Sequence, residues 1–275
     1  MDHPPPLPAP GPLLLRALFK RARATTTVDG PASTTYLASP TNQKSLASYR
    51  QLIGFDADAL PLTFHYLLAQ RAQLASMLGA GFPFRIPGMI HVANELIAHD
   101  ALDPARPMLL HTSASIAPPQ ANGAIHVLFR TTGQQDGRDI FSCASDYLAV
   151  RGRRGARSAP PPVSHTAPIA SWKLDSAAGR RYAAVSGDWN PIHLSHWTAK
   201  LMGMRTPIIH GMHTVGACCA ALEHAAGRRV AAISSRFTAP IALPGQVTLS
   251  ADLEAGEYTA SSGGRDAVIG SFRLA

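Results

Sequence analysis

Apolar positions in this chain fall into two similar successions. Residues 213–226 carry Ala, Cys, Val and Leu around almost the whole helical circumference until Glu223 and His224. That predicts a helix buried on most sides, since a surface helix keeps one polar face. Residues 230–241 follow with strand character, and 246–253 and 267–274 alternate or cluster β-formers as sheet strands do. Residues 67–78 and 88–97 run through the same order, a helix and then a strand, about 145 residues earlier, and 124–130 and 146–151 follow them as further β-forming runs. Pro61 to His65 leads into the first helix as Pro207 to His210 leads into the second. Sequence identity between the two runs is slight, so order and spacing carry the match. Each half is predicted as one helix followed by antiparallel strands, an α+β unit in which a sheet wraps a central helix.

Residues 151–168 are rich in Gly, Arg and Pro and make an unsuitable buried element, so they are expected to be a linker. It divides a first domain, 38–150, from a second, 169–275, and residues 1–37 are expected to be a flexible tail. Composition narrows the picture further. Hydrophobic residues make up 46% of the 275 and charged residues 15%, with 22 Gly and 23 Pro, which excludes disorder of the whole chain and favours turns over a coiled coil. The longest apolar stretches, such as 215–222, fall short of the roughly 20 residues that span a bilayer. Leu13-Leu14-Leu15 is interrupted by Arg16, so no secretory h-region forms and a cytoplasmic protein is expected. A mitochondrial presequence is the competing reading, because Arg16, Lys20, Arg21 and Arg23 precede Thr25 to Thr27; the scattered prolines oppose the helix it needs.

Cys143, Cys218 and Cys219 lack metal-ligand spacing and read as small buried thiols of a reducing compartment. The net charge of +8 would suit a nucleic-acid binder, but most of it sits in two segments. Four basic side chains precede residue 28 against Asp2, and Arg151, Arg153, Arg154 and Arg157 have no acid among them. No aromatic residue interleaves with either group, so base stacking is not indicated and solvated charge is the default. Nucleotide-binding glycine loops, an H-E-x-x-H zinc motif and a G-x-S-x-G elbow are all missing, so no metal or cofactor is expected.

The chemistry lies in the run from Tyr182 to His193, which contains Ser186-Gly187-Asp188-Trp189-Asn190-Pro191-Ile192-His193, and in Ile209-His210-Gly211-Met212. An acid and an imidazole five residues apart, with Gly187 and Pro191 shaping the backbone, can converge on one small volume and hold a water molecule. Alone, the first run is also a turn signature, with Asp188 and Asn190 capping nearby N–H groups and Pro191 opening a helix.

The pattern S-G-D-x-N-P-I-H followed by I-x-H-G-M resembles the MaoC-type dehydratases and the (R)-specific enoyl-CoA hydratases, which have the hot-dog fold. Arg236-Phe237, Pro240-Ile241 and Pro244-Gly245 extend the resemblance more weakly. The first half lacks the motif and is similar to the degenerate partner of two-domain members, which implies a double hot-dog in which one chain mimics a dimer. The resemblance implies reversible hydration of a trans-2-enoyl thioester to an (R)-3-hydroxyacyl thioester, with Asp188 and His193 holding the catalytic water. The substrate would be an acyl-CoA, or an acyl carrier protein thioester, in fatty acid metabolism, lying in a groove between the halves; a homo-oligomer of such pseudo-dimers is possible, and neither nucleic acid nor membrane is a partner.

Such a reaction needs a base for water, an acid for the α-carbon and donors for the enolate oxygen. Asn190 could orient the carboxylate or the water, and Gly211, at the start of the central helix, could present its N–H to the enolate. Ser186, His210, Met212 and Arg236 complete the candidate substrate contacts. His210 is as well suited to a hydrogen bond between segments. Arg236 is favoured among Arg205, Arg228, Arg229 and Arg236 for CoA phosphates. His213, His196 and His224 are expected on a helix face or the surface, Tyr182 and Trp189 in packing, and His65 in a structural role. The alternatives in function are a non-catalytic acyl-thioester-binding or scaffold subunit and, more weakly, an acyl-CoA thioesterase.

Overall fold

A computed structural model of the chain describes residues 4–22, 32–58, 60–152 and 167–275. Along the chain run α1 (Pro10–Phe19), β1 (Ala32–Ala38), α2 (Gln43–Ile53), α3 (Leu62–Met77), β2 (Ile90–Ala98), β3 (Met108–Ile116), β4 (Ile125–Gln135) and β5 (Arg138–Val150). There follow β6 (Pro168–Leu174), α4 (Ala178–Ser186), a 3-10 turn at Pro191–His193, α5 (His196–Leu201), α6 (Gly211–Ala226), β7 (Val230–Phe237), β8 (Gly245–Asp252), β9 (Glu257–Ser262) and β10 (Arg265–Leu274). Contacts divide these into two compact units, Met1–Thr41 with Leu68–Val163, and Asn42–Leu67 with Ser164–Ala275. The helix α2 and the opening of α3 therefore group with the second unit and not with the strands that follow them in sequence.

In the first unit five antiparallel strands are ordered β1-β3-β4-β5-β2. Alternation sets which side chains enter the core: along β4, Val127, Phe129 and Thr131 are buried and lie two residues apart. Phe129 joins Met77, Phe82, Phe84 and Ala114 in one apolar cluster. β4 and β5 are longer than the sequence pattern predicts because Asp136 and Gly137, at φ of 51° and 74°, close them into a tight hairpin. The expected flexible tail is corrected in part. Leu13 and Ala17 of α1 are buried, Leu7 and Leu37 exchange backbone hydrogen bonds with Leu37 and Pro5, and β1 pairs with β3 along its length. The Lys20 ammonium donates to the Met77 and Gly79 carbonyls at 2.6 and 2.9 Å, which satisfies the open end of α3. Sequence periodicity overlooked this segment because its apolar positions are few and interrupted by proline.

In the second unit the strand order is β7-β10-β9-β8-β6, again antiparallel. The predicted central helix is α6, ended by Gly227 in the left-handed conformation. It packs on β6, β7 and β10 and is flanked by α2. Met212 to Gly216, Cys218 to Ala220 and Leu222 are all buried, as the apolar circumference predicts. The strand expected over 230–241 stops at Phe237, before Pro240, which has no N–H for the ladder. The backbone beyond it turns back to support another segment: the Ile209 N–H donates to the Ile241 carbonyl at 2.9 Å and the Leu243 N–H to the Pro207 carbonyl at 2.8 Å. All three cysteines are free and buried. Of the expected linker, residues 153–166 lie outside the described residues, and β6 begins at Pro168. Among the described residues no helix is long and apolar enough to cross a membrane.

Candidate active site

The motif residues sit where α4 ends and α6 begins. The helix α4 stops at Gly187, whose N–H donates to Ala183 O at 2.8 Å. The chain then turns through a ladder of side-chain caps: Ser186 Oγ accepts from Asp188 N at 3.2 Å, Asp188 Oδ1 from Asn190 N at 3.2 Å, and Asn190 Oδ1 from Ile192 N at 3.3 Å. Pro191 opens the 3-10 turn at the first position, where its missing N–H costs nothing. The turn-building reading of this motif is thus realised by these residues. Gly179 of α4 lets this turn approach, because a Cβ there would lie 2.0 Å from the His193 carbonyl oxygen.

One backbone bond and one side-chain bond join this turn to the second segment. The Ile208 N–H donates to Ile192 O at 3.2 Å, and His193 Nδ1 lies 2.8 Å from Ile208 O. A carbonyl oxygen only accepts, so Nδ1 of His193 carries the proton and Nε2 keeps its lone pair. His210 is fixed in the opposite sense, its Nε2–H donating to the backbone carbonyl of Asp188 at 2.9 Å. The two rings stack with centroids 3.6 Å apart and planes 28° from parallel. His193 and His210 are 8% and 3% exposed.

One ligating atom from each of Asp188, His193 and His210 lies within 4.8 Å of the others. That spread can hold a water between a carboxylate and a basic imidazole nitrogen, and it would equally admit a cation. Burial holds the His193 pKa below the ordinary imidazole value, although Asp188 and the bond to Ile208 favour protonation. His210 is pushed down to about 3, first by burial and then by neighbouring His193. Both rings are therefore neutral at neutral pH, and His193 is available as a base.

Tyr182 is buried behind the pair, 4.9 Å from the His210 ring and 5.4 Å from that of His213. Its hydroxyl has no hydrogen-bond partner among the described residues, which agrees with the packing role expected for it. His213 is on a helix face, yet it is buried rather than at the surface. His196 and His224 are exposed, and so is Trp189. His65 is buried, and its pKa is lowered to about 4 by that burial.

Gly211 is the first residue of α6, and Met212 beside it is buried. A Cβ at Gly211 would lie 2.5 Å from the Phe237 ring, so glycine is required here by a close neighbour as well as by any ligand. Phe237 is the residue of the Arg236-Phe237 pair that reaches the motif. Arg236 is exposed on β7, and no hydrogen bond or ion pair joins it to the cluster among the described residues. Arg228 bonds the Ala275 carbonyl and Arg229 pairs with Glu223 at 2.7 Å, which accounts for both structurally. Ile208 and Phe237 escaped sequence reasoning. Ile208 acts through its carbonyl, which every residue type possesses, and Phe237 entered only through the weaker Arg236-Phe237 resemblance, in which Arg236 was taken as the functional side chain.

Comparison with known proteins points to the same region. Residues 158–262 match the family model of the MaoC like domain. The 3-hydroxyacyl-thioester dehydratase X of Mycobacterium tuberculosis is 29% identical over 215 residues, covering 74% of this chain and 74% of that protein. A crystal structure of HtdX from Mycobacterium tuberculosis superposes with a TM-score of 0.74 at 25% identity, covering 89% of this chain and 100% of the other. A Mycobacterium tuberculosis protein described as having a double hotdog fold superposes with a TM-score of 0.57 at 14% identity, over 90% of this chain and 96% of the other. At that identity the likeness is one of fold alone, and it agrees with the expected double hot-dog.

Proposed function

We propose, from the premise that residues 158–262 are a MaoC-like domain and the chain a hydro-lyase of that kind, that it catalyses reversible hydration of a trans-2-enoyl thioester to an (R)-3-hydroxyacyl thioester. Coenzyme A is the favoured carrier, with acyl carrier protein the other, and the cytoplasm is the expected setting. The observation that carries this reading is the gathering of a carboxylate oxygen of Asp188 and a ring nitrogen of His193 in one small volume, with the Asp188 carboxylate and His193 Nδ1 each bonded to the main chain. A water held between them has one O–H directed at each acceptor, leaving an oxygen lone pair for the β-carbon. As the C–O bond forms, one acceptor takes the water's proton, electron density moves to the thioester oxygen, and a proton returned from the pair to the α-carbon completes the addition. Asp188 and His193 act on one water, so the proton belongs to the pair and not to a single residue.

In this reading the Gly211 N–H, at the open end of α6, donates to the enolate oxygen. One such donor is worth about 3 kcal/mol of barrier. His210 serves as a positioning residue, fixing Asp188 through its carbonyl and stacking on His193. Ser186 and Asn190 hold the turn rather than the substrate.

The test follows enoyl-thioester absorbance with crotonyl-CoA and a longer trans-2-enoyl-CoA, alongside free-thiol trapping. Loss of the enoyl signal without thiol release supports the hydratase. Thiol release would move the chain to a thioesterase, and binding without turnover of either substrate would make it a binding subunit.

A further inference from the structure

A second feature of the second unit lies on a different face of α6. A cavity of about 320 Å³ is formed by the end of α2, by β6, by α4 and by α6. That volume is at the lower end of the roughly 300–1,000 Å³ of small-molecule sites. His213, Ala217, Ala220, Ala221 and His224 line it from α6, and their spacing of three to four residues marks one stripe of the helix. Ala217, Ala220 and Ala221 leave room where larger side chains would fill it, and Ile53, Leu174 and Ala178 make the remaining apolar wall.

The polar part of the lining has one sign. Lys173, Arg181 and His224 are exposed at the edge, and no Asp or Glu is among the lining residues. Arg181 is paired with Asp175 and His224 with Asp56, whereas Lys173 has no ion pair among the described residues. Within the wall, the buried indole N–H of Trp172 and the buried Nδ1 of His213 have no hydrogen-bond partners among the described residues. An indole N–H can only donate, so it is complemented by an acceptor. A ligand suited to these groups carries a negative charge with acceptor oxygens at one end and a short apolar body at the other.

We propose that this cavity is a binding site for a small monocarboxylate with a short aliphatic chain, separate from the Asp188–His193–His210 cluster. The carboxylate pairs with Lys173 at the edge, and the chain lies along the alanine stripe. Tyr182 connects the site to the cluster, since its ring packs on His213 at the cavity and on His210 beside His193. Occupancy that shifts His213 is therefore felt at the stacked imidazoles. The inference is independent of which reaction the cluster performs.

The experiment is titration of the full chain with hexanoate, followed by calorimetry and by the indole N–H signals of the three tryptophans, that of Trp172 being assigned with Trp172→Phe. Hexanamide and inorganic phosphate serve as counter-probes. Saturable hexanoate binding that moves the Trp172 signal is expected. Lys173→Glu and Ala221→Leu should each weaken it at least tenfold, and neither counter-probe should compete. Lys173 is exposed, so its variant keeps the test decisive should Ala221→Leu disturb folding. Absence of saturable binding, binding undiminished in Lys173→Glu, or phosphate binding as well as hexanoate would overturn the proposal.

Discussion

Individual atoms at the cluster make definite demands. Asp188→Asn keeps the cap on the Asn190 N–H but removes the charge that completes the proposed water site, and His193→Ala removes Nε2. Each should lower turnover by on the order of 10²–10⁴, the usual range for a positioned acid or base. Near-normal rates in both would reject the assignment. The pH profile has a fixed sign. His193 works as a base only when neutral, and burial holds its pKa below 6.5, so kcat/KM should fall with acid through a midpoint below the ordinary imidazole value. A midpoint above 6.5 would mean that Asp188 outweighs burial. Tyr182→Phe offers a contrast, because its hydroxyl is buried without a partner among the described residues; the variant should keep its rate within a few-fold and melt no lower. At this scale the sequence displayed the acid, the imidazole and the glycine, since their side chains, or lack of one, carry the role. It concealed Ile208, which contributes a carbonyl, and it pointed to Arg236 when the neighbouring Phe237 is what touches Gly211.

Elements impose their own requirement, which is close approach. Gly179→Ala drives a methyl group into the His193 carbonyl and should cost about 1–3 kcal/mol as overpacking does, with a larger loss in kcat than in substrate affinity; an unchanged melting temperature would show that α4 can shift freely. Gly211→Ala meets the Phe237 ring, so Phe237→Leu should restore part of the stability lost in Gly211→Ala, measured as a double-mutant cycle. The helices α3 and α6 were legible because apolar side chains repeat around them, and β4, β5, β8 and β10 because β-formers cluster. β9 was not, since Glu257–Ser262 is short and mostly polar, and its place in the sheet follows from pairing with β8 and β10. β3 alternates buried and exposed positions plainly enough to have been found, as does the Asp136-Gly137 hairpin that lengthens β4 and β5.

Across the whole molecule, histidine burial sets the response to acid. His65 and His213 are lowered to about 4, His210 to about 3, and His193 is lowered as well, in every case chiefly by burial. An unfolded chain binds protons at these groups near pH 6.5, before the folded one does, so their contribution is complete above that value and is lost as pH falls toward 4. Melting temperature should therefore drop steeply between pH 6.5 and about 4, and the slope should lessen in His213→Phe. A flat profile would contradict neutral burial of these rings. Dialysis against a chelator is expected to leave turnover unchanged, because the water's activation is assigned to side chains; loss that zinc restores would instead make the three-residue cluster a metal centre. The grouping of α2 with the second unit has a further consequence for dissection. Tyr49 and Ile53 of that helix lie against Gly216 of α6, yet in sequence they lie between β1 and β2 of the first unit. A single cut in the chain cannot release residues 167–275 intact, and a fragment starting there should be insoluble unless residues 42–67 are supplied as a peptide or fused to its terminus.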